Sequence, residues 1–238
     1  MVENRQNHPC DENIGVPLRE LGGNASKEID CDEYVEQFCV DAVRVLRKYD
    51  KELSNSLKQK AVKNFYKHDW KGIGIYSATE VVIKWIIYSK LCHKYRMYPE
   101  SSKFYESDKQ LLDLAIYLTD DYEKVPDIAI EMKWAGFRGD KRPFSNWLKQ
   151  MINDVTKLYQ AKVSSNKYFM QFAFISREEW RSIGEVIENT LNDFNNSSKA
   201  HRFRNGKLSF LTKKKFLTEN NEEKSVYFAI LVWKIAKA

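Results

Sequence analysis

The chain has 238 residues, 43% of them hydrophobic and 30% charged, with nine Gly and five Pro. That composition supports one sizeable core and excludes disordered, collagen-like and linker-dominated architectures. The net charge is +6, and the excess lies late, because the forty residues from Lys199 carry ten Lys or Arg against three Glu. A basic end of this kind favours a polyanionic partner. The longest apolar run, Val226 to Trp233, is eight residues, against the roughly 20 that a membrane helix needs. The first residues carry Glu3, Asp11 and Glu12 and no apolar signal region, so the expected location is cytoplasmic. Cys10, Cys31, Cys39 and Cys92 form no CxxC pair and no zinc spacing, and are expected to be reduced structural thiols.

Residues 1–30 are polar and aperiodic and read as a poorly ordered lead-in. Residues 31–73 read as an N-terminal helical segment. Tyr34, Phe38, Val43 and Leu46 predict a helix over Asp32–Tyr49, and Leu57, Ala61, Val62 and Phe65 predict a second over Leu53–Lys67. Gly72-Ile-Gly74 then breaks the chain, and 74–238 reads as one α/β domain. Ser77-Ala-Thr-Glu80 has the form of a capping box opening a helix to about His93. A short strand is expected at Phe104–Glu106. Leu111–Leu118 and Asp127–Trp134 alternate as strands, and the polar 119–126 between them predicts a hairpin. A helix over Phe144–Lys162, a strand over Tyr168–Ile175 and a helix over Arg177–Phe194 follow. After a loop at Asn195–Ser198, strands at Lys207–Leu211 and Val226–Ile235 complete the pattern. The expected fold class is α/β, a central mixed β-sheet flanked by helices, preceded by the helical segment.

Strand alternation sorts the hairpin's side chains. Leu112, Leu114, Ile116 and Leu118 fall on one side, as do Ile128, Ile130, Met132 and Trp134. If both apolar sets face one core, Asp113, Glu131 and Lys133 cluster on the opposite surface, beside Ala115 and Ala129. Two carboxylates one ion apart suit Mg²⁺ or Mn²⁺, and a lysine beside them suits developing negative charge or help in deprotonating the attacking water. Asp127 is an alternative acid, but it lies four residues from Glu131 in the same strand, ~13 Å away at ~3.3 Å per residue. Asp113, across the hairpin, is within ~5 Å of its opposite residue.

Asp113, seventeen residues, then Glu131-Met132-Lys133 resembles the motif of the PD-(D/E)XK nuclease superfamily, with its restriction-endonuclease-like fold. Ser77 to Ile175 follows that family's order of helix, hairpin, helix and strand. Leu112 stands where the family often has proline. The resemblance implies a Mg²⁺-dependent endonuclease in which Asp113 and Glu131 hold the ion together with the Met132 carbonyl. Lys133 would match the catalytic lysine, and Glu80 the acid that the leading helix often supplies. Glu80 has a competing reading as the last residue of the capping box. Glu131-x-Lys133 has one as a solvated strand face.

Nucleic acid is the implied partner, DNA ahead of RNA. A homodimer follows if both strands of a duplex are cut. Arg138, Lys141 and Arg142 directly after the motif strand, and Lys149 on the next helix, are candidate phosphate contacts, with solvated loop and helix faces as the alternative. Gln150 and Lys157 share that helix. Phe203, Phe210 and Phe216 among the late basic residues suit base stacking or the core of the closing strands. The alternative function is a non-catalytic nucleic-acid- or protein-binding module on the same fold.

Overall fold

The computed structural model describes residues 30–57, 61–63, 69–71, 75, 78–101, 110–119, 125–134, 145–162, 166–176, 181–197, 201–204, 208–217 and 223–237. Helix α1 (Cys31–Leu57) is one element where the periodicity suggested two. Asp30 caps it, its carboxylate accepting from the Asp32 N–H at 2.8 Å. The polar Asp50-Lys51-Glu52 stretch does not interrupt it, because each of these residues is tolerated inside a helix. The buried Asp50 carboxylate instead accepts from the Ile75 N–H at 2.9 Å. The expected helix over Leu53–Lys67 gives way after Leu57. Strands β1 (Ala61–Lys63) and β2 (Asp69–Lys71) pair antiparallel there.

Helix α2 (Glu80–Tyr95) starts two residues later than the capping-box reading. Its N-cap is Thr79, whose hydroxyl accepts from the Val82 N–H at 3.5 Å. Glu80 is therefore the first helical residue and not a capping-box partner of Ser77. The helix ends on Arg96, the one non-glycine with positive φ (45°) among the described residues. A left-handed residue without glycine costs ~1–2 kcal/mol. Two bonds to the far end of the hairpin offset it: the Arg96 carbonyl accepts from the Tyr117 N–H at 3.3 Å, and its guanidinium donates to the Leu118 carbonyl at 3.1 Å. The turn starts β3 (Met97–Ser101) immediately. The expected strand at Phe104–Glu106 lies outside the described residues.

Strands β4 (Leu112–Ile116) and β5 (Ile128–Trp134) form the expected antiparallel hairpin. Helix α3 (Ser145–Gln160) crosses over to β6 (Asn166–Ser176), which runs parallel to β5. Helix α4 (Ile183–Ser197) continues through Asn195–Ser197, where a loop was expected. Strand β7 (His201–Arg204) has no counterpart in the sequence reading. Strands β8 (Leu208–Leu217) and β9 (Glu223–Lys237) extend the two closing strands. The seven-stranded mixed sheet has the order β3-β4-β5-β6-β9. Beyond β9, β8 lies against residues 223–231 of that strand and β7 against residues 234–237. The chain is thus α/β, a mixed sheet with helices packed on both faces.

The two faces hold separate cores. On one, Phe38 and Leu46 of α1 and Ile83 and Ile87 of α2 cover Leu114, Ile116, Ile130 and Met132. On the other, Met151, Val155 and Leu158 of α3 and Phe194 of α4 cover Tyr117, Phe169 and Trp233. Phe194 meets Trp233 edge-on at 5.3 Å, a geometry that adds ~0.5–1.5 kcal/mol to simple burial. Ala115 and Ala129 face each other and are fully buried in this second core. Their small side chains therefore accommodate α3, and do not leave the space for an ion and substrate that the alternation suggested. The termini outside the described residues include the expected lead-in at 1–30, apart from Asp30. Cys31 and Cys39 are free thiols; burial pushes the Cys39 thiol up to about 12. Among the described residues no helix is long and apolar enough to cross a membrane.

Candidate active site

The β4–β5 ladder pairs Leu114 with Ile130, Ala115 with Ala129 and Ile116 with Ile128. Carried one residue further, the same register sets Asp113 against Glu131. The paired residues stop at Leu114, however, and the alternation of β4 breaks there. Leu112 was expected beside Leu114 but packs in the opposite core, with α3. From Asp113 onward the edge of β5 has main-chain N–H groups with no strand to receive them, and orphaned main-chain donors are costly in an interior. Carboxylates take that place. Asp113 Oδ2 accepts from the Met132 N–H at 2.7 Å, and Glu80 Oε2, reaching across from α2, accepts from the Trp134 N–H at 2.7 Å. Two acids are therefore set in a row along the open edge of β5. The N–H and C=O of one strand residue point to the same edge, so the Met132 carbonyl also faces this row.

Three lysines approach the acids from both sides of the sheet. From α2, Lys84 Nζ lies 2.8 Å from Asp113 Oδ1 and 3.0 Å from Glu80 Oε1. From α3, Lys157 Nζ lies 2.9 Å from Glu131 Oε1 and donates to the Leu111 carbonyl at 2.8 Å. Lys133 Nζ lies 3.4 Å from Asp154 Oδ2, also on α3. Counting Asp154, four carboxylates meet three ammonium groups.

The environment shifts several of these groups. Glu131 is 2% exposed. Burial, and then the charge of Asp113, with which it shares a hydrogen bond, raise its pKa well above the ordinary glutamate range, against the opposing pull of Lys157. Burial likewise raises Asp154, with Lys133 and Lys157 working against it. For Lys84, burial favours the neutral amine, but Asp113 and Glu80 outweigh it and hold the ammonium above its ordinary value. A buried carboxyl whose pKa is raised by a neighbouring carboxylate marks a place where a cation is favoured.

No family model matches the chain. No curated protein matches it significantly either. Among the described residues, no three His, Cys, Asp or Glu side chains come together as a ready metal cluster, because lysines stand between or beside the acids.

The sequence-derived residues divide as follows. Asp113, Glu131, the Met132 main chain and Glu80 converge on the open edge of β5. Lys133 is on the same strand but its ammonium is turned to Asp154. Asp113 was expected on the same surface as Glu131 and Lys133, whereas it meets α2 as well, since the splayed strand end is reached from either face. Asp127 closes the other end of the hairpin: its Oδ2 accepts from the Leu118 N–H at 2.8 Å. Lys149 is exposed on α3. Arg138, Lys141 and Arg142 lie outside the described residues. Lys84 and Asp154 were missed, and Lys157 was read as part of a solvated helix face ahead of a phosphate contact. Lys84 had a legible signal, since it follows Glu80 by four residues on one helix face.

Proposed function

We propose that the chain is a divalent-metal-dependent endonuclease of the restriction-endonuclease-like kind, hydrolysing phosphodiester bonds in nucleic acid, DNA ahead of RNA. The observation that carries this reading is the replacement of a strand by carboxylates along β5: Asp113, hydrogen-bonded to Glu131, and Glu80 take successive main-chain N–H groups of the same edge. Helix α2, the β4–β5 hairpin, α3 and β6 also follow the family's order. The donor set fits Mg²⁺ or Mn²⁺: hard carboxylate oxygens, a main-chain carbonyl and one more acid than lysine. Asp113, Glu131 and the Met132 carbonyl would hold the ion, with Glu80 beside them. Bound there, the ion would supply polarisation of the phosphoryl oxygen and a lowered water pKa.

The chain's own residues account for the remainder. Because burial raises the pKa of Glu131, its carboxyl must be ionised before it can act as a ligand, so activity rises with pH on its acid side. Lys84 and Lys157 neutralise the acids in the resting site, and either ammonium can turn to the scissile phosphate once its carboxylate is otherwise engaged. Lys133, held at 3.4 Å by Asp154, is loosely tied and free to assist the water. The buried floor around Glu131 excludes bulk solvent and strengthens each of these interactions.

A non-catalytic binding module is the second reading. It draws on the lysines already paired with the acids. Cleavage of mixed DNA and RNA with Mg²⁺ or Mn²⁺, by the wild type beside Asp113→Ala and Lys133→Ala, separates the two. Metal-dependent cleavage lost in both variants is the expected result. Absence of wild-type cleavage on every substrate, with nucleic-acid affinity unchanged by either substitution, leaves the binding module.

A further inference from the structure

Among the described residues, the exposed large apolar side chains are concentrated beside these acids. Five large hydrophobic side chains are exposed among the described residues, and four of them, Val81, Val82, Trp85 and Leu111, lie within two residues of Glu80, Lys84 or Asp113. Trp85 is 58% exposed. An indole on an outer helix face normally finds cover, yet here it stands open at the rim of a cavity of about 140 Å³. Val81, Trp85 and Tyr88 form its helical wall at i, i+4 and i+7, Pro99 of β3 lies opposite, and Asp113 and Lys84 belong to the same lining. The Trp85 and Tyr88 rings are 5.9 Å apart and inclined at 44°, so they form a notch and not a closed stack.

We infer that this notch receives one unpaired nucleobase next to the scissile phosphate, with Trp85 as the stacking face, so that the substrate is single-stranded or locally unpaired. The inference rests on the nuclease reading above and names the substrate class of the same site. Three features select a base over other occupants. The cavity is well below the ~300 Å³ of an ordinary small-molecule site and suits a single flat ring system. Its walls are aromatic and apolar, which suits a π-face of any sequence. Its rim carries the Lys84 ammonium beside Asp113, so a backbone phosphate drawn to Lys84, and to an ion held by Asp113 and Glu131, brings the adjoining base to Trp85. A paired base inside a duplex cannot reach such a notch without leaving its stack.

The test compares two probes of equal charge: a fluorescein-labelled 12-mer of thymidylate and a 12-mer of the same backbone with every base removed. Both are titrated by anisotropy in Ca²⁺, a hard cation that fills an oxygen-ligand site, with wild type, Trp85→Ala and Trp85→Phe. Wild type is expected to bind the base-bearing probe at least about fivefold more tightly than the abasic one, which is the low end of one base–aromatic stack. Trp85→Ala should remove that preference, and Trp85→Phe should restore most of it. Folding is checked by far-UV circular dichroism, and the Phe variant controls for any packing loss. Equal wild-type affinity for the two probes, or a preference that survives in Trp85→Ala, overturns the inference. The same result in a protein that still cleaves with Mg²⁺ leaves the nuclease reading standing. A wild type that binds neither probe and cleaves nothing removes both, and an apolar protein segment then becomes the occupant to seek.

Discussion

Replacing Lys84 by Met probes the resting site directly. Met keeps most of the straight stem, so the packing on α2 is preserved while the ammonium is removed. The substitution leaves Asp113 and Glu80 without their shared cation, at 11% and 25% side-chain exposure. Breaking a buried ion pair from one side costs ~3–5 kcal/mol. Both carboxylates retain a main-chain donor, Met132 N–H and Trp134 N–H, and neither is fully buried. The expected loss is therefore smaller, about 2–3 kcal/mol. At ~2–4 °C per kcal/mol for a chain of this size, thermal denaturation in EDTA should show Tm lower by roughly 4–12 °C. Divalent metal should then recover more in the variant than in the wild type, because the ion no longer competes with Lys84. Saturation to a hundred times Kd is worth ~2.7 kcal/mol. An unchanged Tm in EDTA would refute the idea that Lys84 neutralises these acids. A variant destabilised as expected but indifferent to Mg²⁺ and Mn²⁺ would refute the metal site.

Glu131→Gln keeps the shape of the side chain and removes its titration. Since the folded pKa lies above the ordinary 4.5, the stabilising contribution of Glu131 is complete below about 4.5 and is lost as pH rises through the folded value. The variant should gain stability on the wild type progressively above that pH, measured by urea denaturation across pH 4–9, while losing cleavage. Asp41 has the opposite sign. Burial raises its pKa, but hydrogen bonds from Lys94 and Tyr95 outweigh this and hold it below 3.8. Its contribution is present above 3.8 and is lost as pH falls through the folded value. Asp41→Asn should therefore cost about 1–3 kcal/mol at neutral pH and flatten the acid limb of the same curves. Asp127→Ala should lower stability by about 1 kcal/mol through the Leu118 N–H and retain cleavage. Cleavage lost in Asp127→Ala but kept in Asp113→Ala would show that the hairpin register places the wrong aspartate.

The hairpin was legible because its two strands largely alternate, which assigns their side chains to faces. Which residues oppose each other is set by the register, which pairs Leu114 with Ile130 and brings Asp113 level with Glu131 just beyond the last pair. The break at Leu112 was not legible. It arises because β4 stops pairing with β5 while still pairing with β3 as far as Ser101, and local periodicity carries no information about where a neighbouring strand diverges. Thr79 competes with Ser77 for the helix start, and in the structure it is Thr79 whose hydroxyl caps the helix. The partners of Lys157 and Asp154 lie 26 and 21 residues away, beyond the reach of any helical or strand repeat. The single helix α1 was read as two because its apolar positions fall into two sets with polar Asp50-Lys51-Glu52 between them, whereas the Asp50 carboxylate serves the Ile75 N–H inside one continuous helix.

Helices α2 and α3 lie on opposite faces of the sheet, in separate cores, yet each sends a lysine to the same short row of acids. Neither helix can lift from the sheet without stranding an anion in a poorly solvated place. The two layers are thereby latched to each other through the strand edge and not through shared apolar contacts. Amide hydrogens in α2 and α3 should then exchange with matched opening free energies, although few atoms of one helix touch the other. Anything that replaces the lysines at the acids, a bound cation included, would release the latch and let the two rates separate.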